Sequence, residues 1–107
     1  MNINKLNSVM KAFGCKKSKK YCFYNLSINF GEDYAIVTGN IPEKIIELIK
    51  DKYHYNLLDV KIENTYYINN YEWLVILLLE FQNNIQNRYT SYNEYKLVME
   101  KVNKNQG

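Results

Sequence analysis

The longest unbroken apolar run in this chain is Trp73-Leu74-Val75-Ile76-Leu77-Leu78-Leu79, bounded by Glu72 and Glu80. Such a run leaves no polar face for nearly two helical turns, so the helix predicted over Asn69 to Asn87 must be covered on most sides by the rest of the chain. Its start is marked by Asn69 as N-cap, by Glu72 three residues on as a capping-box partner, and by Ile68 placed to pack on Trp73. A membrane span needs about 20 apolar residues, whereas Glu80, Gln82, Asn83 and Asn84 follow this run directly. The segment therefore reads as a core helix.

Around it the rhythm changes several times. Ile3, Leu6, Met10 and Phe13 recur at helical spacing after a capping Asn2, and Gly14 supplies a stop. Tyr21 to Phe30 alternates with period two, which places Cys22, Tyr24, Leu26, Ile28 and Phe30 on an inner face and Tyr21 and Phe23 on an outer one. Gly31-Glu32-Asp33 is a turn of hairpin length leading to a second strand, Tyr34 to Thr38. Pro42 and Glu43 suit the first turn of a helix running to about Tyr53, with Ile41, Ile45, Leu48 and Ile49 aligned inward. Period two returns at Leu58, Val60 and Ile62, a third strand, and Thr65 to Ile68 extends it or bridges to the core helix. Ser91 and Glu94 form a second capping box before a last helix using Tyr95, Val98, Met99 and Val102.

The resulting expectation is one α+β domain over residues 1–107, ordered α-β-β-α-β-α-α, with residues 103–107 frayed. A small three-stranded mixed sheet, made of a hairpin and a crossover strand parallel to it, packs against the buried core helix.

Composition changes that picture little. Asn (16), Lys (13), Ile (11) and Tyr (11) make up nearly half of the chain while Arg occurs only at Arg88. All four abundant types have AT-rich codons, so coding bias accounts for much of their number. The net charge is +3 but unevenly placed: residues 1–31 hold six lysines and no acid, and residues 32–87 hold four lysines against nine acids. A split of this kind can steer association with a charged partner. Met1 to Gly14 lacks the apolar core and cleavage site of a secretory signal, and the two cysteines suit a reducing compartment, so a cytoplasmic location is expected.

Candidate chemistry is sparse. His54, the only histidine, has no partners at catalytic or metal-ligand spacing, and Cys15 and Cys22 match no common zinc pattern. Cys15 lies beside four lysines, a setting that favours the thiolate. No enzyme activity, metal or cofactor is expected. Two binding surfaces stand out instead. The loop Lys16, Lys17, Lys19 and Lys20, followed by Tyr21 and Phe23 on the outer strand face, combines phosphate-neutralising charge with aromatics able to stack on bases. The second is formed by Tyr66, Tyr67, Tyr71, Tyr89 and Tyr92 at the edges of the core helix, with acidic Glu43, Glu47 and Asp51. Tyrosine favours protein interfaces because it joins a rigid apolar area to a polar tip, and the acids suit a basic partner.

The step Ile36-Val37-Thr38-Gly39-Asn40-Ile41-Pro42, followed by an isoleucine-rich helix, resembles a segment found in small proteins of phages and mobile elements from AT-rich bacteria, a pool that includes anti-CRISPR inhibitors. The resemblance spans roughly 20 residues, has no catalytic motif and carries over no functional residue. It implies a viral protein in a bacterial host cell. The expected function is non-enzymatic inhibition of a host defence protein, such as a CRISPR effector, through the tyrosine-rich and acidic surface. The alternatives are a nucleic-acid-binding module using the lysine loop and a small homo-oligomeric structural protein, for instance a homodimer.

Overall fold

The computed structural model describes residues 1–104, and the expected frayed tail lies outside them apart from Asn103 and Lys104, which continue the last helix. The chain forms α1 (Ile3–Ala12), β1 (Tyr21–Phe23), β2 (Leu26–Gly31), β3 (Tyr34–Thr38) and α2 (Glu43–Tyr53). A 3₁₀ turn (Leu57–Val60) follows, then β4 (Lys61–Ile62), β5 (Thr65–Ile68), α3 (Tyr71–Ile85) and α4 (Tyr92–Lys104). The α+β class is as expected. The sheet has five strands rather than three, in the order β1-β2-β3-β5-β4, and every neighbouring pair is antiparallel.

Two turns account for the difference. Tyr24 adopts a left-handed φ of 54° between Phe23 and Leu26, which pair across a tight hairpin, so the ten-residue period-two run is two strands. The reversal puts Tyr21 and Phe23 on the same buried side as Leu26 and Ile28, and turns Cys22 and Tyr24 outward. Gly39, at φ 145°, passes so close to this turn that a Cβ there would lie 2.9 Å from Leu26 and 3.0 Å from the Asn25 carbonyl. Further on, Asn56 caps the 3₁₀ turn by accepting from the Leu58 amide (3.1 Å), which breaks the alternation expected of Leu58 to Ile62. Leu57 is buried instead, and Leu58 and Ile62 (65% exposed) face solvent. Glu63, at φ 56°, then reverses the chain, so Thr65 to Ile68 returns as β5 between β3 and β4. β4 keeps the direction of β3 that a crossover implies, but β5 separates the two.

One face of the sheet is buried through Tyr21, Phe23, Leu26, Ile28, Ala35, Val37, Tyr66 and Ile68; Cys22, Asn29 and Thr38 lie exposed on the other. The buried face joins a single core with α1, α2, α3 and α4. Every residue of α3 from Leu74 to Phe81 is buried, as the seven-residue apolar run requires. Its N-cap is Asn70, one residue later than expected, whose side chain accepts from the Glu72 amide at 2.8 Å. Asn2 and Ser91 cap α1 and α4 as anticipated, accepting from the amides of Lys5 (2.8 Å) and Glu94 (3.1 Å). In α2 the inward face is Ile45, Ile46 and Ile49, while Leu48 is 43% exposed. His54 closes that helix in a left-handed conformation, a structural duty for the sole histidine. No helix among the described residues is long and apolar enough to cross a membrane.

Candidate functional site

The apolar run of α3 ends on Glu80, four residues after Ile76 and three after Leu77, and therefore on the buried side of a helix that has no open one. Its side chain is 6% exposed. A carboxylate there is tolerable only if its oxygens are well bonded, and they are. Tyr53 at the end of α2 donates to Oε2 at 2.7 Å and Lys52 donates to the same oxygen at 3.1 Å. Thr90, buried in the α3–α4 connection, donates to Oε1 at 2.7 Å. Burial, followed by the hydrogen bond to Glu80 and its charge, pushes the Tyr53 hydroxyl well above the ordinary tyrosine range.

The network extends into α4. Asn83, 1% exposed, donates through Nδ2 to Thr90 Oγ1 (2.7 Å) and to Glu94 Oε1 (2.8 Å). Arg88 reaches Glu94 Oε2 at 3.2 Å, and its backbone amide donates to the Asn83 carbonyl at 2.7 Å. Lys52 also donates to the Thr90 carbonyl at 2.7 Å. Arg88 to Thr90 is thus tied at its backbone and at its side chains to three helices. Tyr89, in the middle, projects outward and is 83% exposed, with the Lys52 ammonium 4.7 Å from its ring centroid. Tyr92, in the first turn of α4, is 78% exposed.

Beside Tyr89 lies a cavity of about 200 Å³ lined by the apolar Ile45, Leu48 and Tyr89, by Lys44, Lys52 and Arg88, and by Glu80, Asn84 and Thr90. The signs around it differ from the acidic surface expected on α2. Residues on a helix advance by about 100° each, so Lys44, Leu48 and Lys52 form one stripe toward the cavity, while Glu43 and Glu47 form another about 100° away. All three expected acids, Glu43, Glu47 and Asp51, are exposed, but none lines the cavity.

The expected tyrosine surface divides. Tyr66 is buried at 1% exposure under the Lys61 side chain and is removed from any binding role, because β5 is an inner strand and turns it to the core. Tyr67 lies half-buried on the open sheet face, edge-on to Tyr34. Tyr71 begins α3, half-buried with Lys5 4.1 Å above its ring, the length of a 15-residue helix away from Tyr89. Tyr89 and Tyr92, three residues apart at the α3–α4 corner, are the strongly exposed members, and Tyr71 and Tyr92 both lie near Tyr95.

The lysine loop changes in another way. Lys16, Lys17, Lys19 and Lys20 are all exposed as expected, but Tyr21 and Phe23 are buried by the Tyr24 reversal and cannot stack on bases. Tyr21 instead donates to Asn7 at 2.6 Å, and Phe23 packs edge-on to Phe13. Cys15 is half-buried, and burial raises its thiol pKa, against the lowering expected from its lysine neighbours.

Sequence reading missed Glu80, Thr90, Asn83, Lys52 and Arg88. One signal was present: an acid in phase with the buried face of an all-apolar helix needs bonded partners. Which residues supply them depends on how α2 and α4 cross α3, which no local pattern encodes. The chain matches no family model, no curated protein and no solved structure.

Proposed function

We propose that this protein is a binding module whose contact surface is the α3–α4 corner with the adjoining face of α2, and that its partner is a host defence protein such as a CRISPR effector. The observation that carries the first part is Tyr89: a large aromatic ring held 83% exposed between two backbone positions that are hydrogen-bonded, the Arg88 amide to Asn83 and the Thr90 carbonyl to Lys52. Exposed aromatics on rigid supports lose little entropy on association and serve as interface anchors. Tyr92, Leu48 and Ile85 add exposed apolar area on the same three helices. The choice of partner rests on the resemblance of residues 36–42 to phage and mobile-element proteins.

The test is phage plating on bacteria whose CRISPR immunity targets that phage, with the protein expressed from a plasmid. Wild type is expected to restore plaques and to co-purify with the effector complex. Tyr89→Ala combined with Tyr92→Ala is expected to do neither, while unfolding within a few degrees of wild type. Absence of plaques together with absence of effector capture across the CRISPR types tried overturns the assignment of partner. Equal activity of the double variant overturns the assignment of surface.

A second reading retains one observation in its favour, the four exposed lysines between α1 and β1. With Tyr21 and Phe23 in the core, this loop offers nucleic acid only phosphate contacts. Such binding weakens steeply with salt, and a gel shift at two salt concentrations decides it.

A further inference from the structure

The cavity beside Tyr89 combines an apolar wall with positive charge, and this combination selects a partner chemistry. Ile45, Leu48 and the Tyr89 ring supply the apolar part. Of the cations, Lys52 is committed to Glu80, the Thr90 carbonyl and the Tyr89 ring. Arg88 is ion-paired with Glu94 through one terminal nitrogen and donates to Gln86 through the other. Lys44 has no ion-pair partner among the described residues. The charge of Glu80 is offset by Lys52 and that of Arg88 by Glu94, which leaves the Lys44 ammonium as the uncompensated charge at the cavity wall. At about 200 Å³ the cavity is smaller than the roughly 300–1,000 Å³ typical of small-molecule sites. It suits a single side chain presented by a peptide.

We infer that this pocket takes an acidic peptide segment of the partner, with an apolar side chain seated between Ile45, Leu48 and Tyr89 and a neighbouring carboxylate on Lys44. The inference rests on the binding-module reading and gives its partner a chemistry opposite to the basic one that the acids of α2 imply. Glu43 and Glu47 lie on the other stripe of α2 and face away from the seat. Charge complementarity at an interface sets specificity and on-rate, and at exposed positions it is screened by salt.

Two labelled peptides provide the test, one of four Glu-Phe repeats and one of four Lys-Phe repeats, each titrated into the ¹⁵N-labelled protein and followed by amide chemical shifts. The acidic peptide is expected to give saturable shifts centred on Lys44, Leu48, Arg88 and Tyr89, weakening as salt is raised. The basic peptide is expected to leave those amides in place. Lys44→Glu should reduce affinity for the acidic peptide about tenfold and admit the basic one, whereas Lys50→Glu, on the far side of α2, should change little. Equal binding of both peptides, shifts centred elsewhere, or indifference to Lys44→Glu overturns the inference. So do the same shifts appearing on concentration of the protein alone, which would identify a second copy as the occupant. If the acidic peptide fails while Tyr89→Ala with Tyr92→Ala still abolishes effector capture, the surface stands and only its chemistry is wrong.

Discussion

The α3–α4 corner and the loop from Cys15 to Lys20 are both polar stretches that meet the core, and they are built in opposite ways. In the loop, four lysines within five residues stay in water, and the backbone amide of Lys20 has a single side-chain hydrogen bond to Ser18, at 3.4 Å. In the corner, one buried acid gathers three donors from two other segments, at 2.7 to 3.1 Å. Charge concentrated along the chain needs no fold to be tolerated. Charge placed in the core does, because an unpaired buried ion is costly and each of its bonds fixes another element. The corner is therefore where sequence distance has been converted into a defined surface, and the loop is not.

The contrast is broken most forcefully at Glu80. Glu80→Ala leaves the Tyr53 hydroxyl, the Thr90 hydroxyl and the Lys52 ammonium without their shared acceptor. Removing one member of a fully buried pair costs about 3–5 kcal/mol, and Lys52 is 30% exposed, so a loss near the lower end, about 3 kcal/mol, is expected in urea unfolding. The Tyr89 and Arg88 amides should exchange faster with solvent than in wild type even under native conditions. A loss below about 1 kcal/mol would mean that water replaces the network readily and that the corner is no more organised than the loop.

Thr90→Val is a finer probe because it preserves shape. It removes one donor to Glu80 and the acceptor for Asn83, both buried, and an unsatisfied buried partner costs about 1–3 kcal/mol. A destabilisation of about 1–2 kcal/mol is expected. In a double-mutant cycle with Asn83→Ala the two effects should fall short of additive, since each variant breaks the same Asn83 to Thr90 bond.

How far the sequence discloses this organisation depends on the range of the interactions involved. The burial of α3, the caps at Asn2 and Ser91 and the end of α2 at Tyr53 are all local, and reading residues a few positions apart was enough to place them. The split of Tyr21 to Phe30 was not legible because it depends on Tyr24 taking a left-handed conformation usually left to Gly or Asn. That one residue reversed the facing of Cys22, Tyr21 and Phe23. Thr65 to Ile68 reads as an extension of the preceding strand or a bridge to α3 because Glu63-Asn64 lacks a glycine to mark the hairpin. At the site, Tyr89 and Tyr92 were found from composition at the helix edge, while Lys52, Glu80 and Thr90 meet over 10 to 38 residues of separation and have no spacing that marks them.

Raising the pH probes burial without mutation, at the corner through Tyr53 and near the start of α3 through Tyr55. Burial pushes Tyr53 well above the usual tyrosine pKa and, with Asp59 nearby, raises Tyr55 to about 12. The unfolded chain releases these protons near pH 10, whereas the fold retains them. Stability from this source is complete below pH 10 and is lost as pH rises through the folded values. Urea midpoints are therefore expected to fall steadily from about pH 10 to about pH 12. Tyr55→Phe, which keeps the ring stacked 4.5 Å from Trp73, should flatten part of that decline. A midpoint constant across this range would show that both hydroxyls reach water and, through Tyr53, would remove the burial on which the corner depends.

The smallest effect is expected in the loop, and its smallness is what gives it value. Lys16, Lys17, Lys19 and Lys20 are exposed and have no ion-pair partners among the described residues, so replacing all four with Gln removes like-charge repulsion and breaks no contact with the core. Surface changes of this kind stay within about 0.5 kcal/mol each, and here relief of repulsion should make the sum neutral or slightly stabilising in urea unfolding. The same variant carries four fewer positive charges, so any association driven by phosphate contact must weaken with it and lose its salt dependence. A loss of effector capture in the four-fold variant, with stability unchanged, would move the functional surface from the corner to the loop. Unchanged capture would leave the exposed lysines as solvent-facing charge and the rigid tyrosine corner as the part of the molecule built for contact.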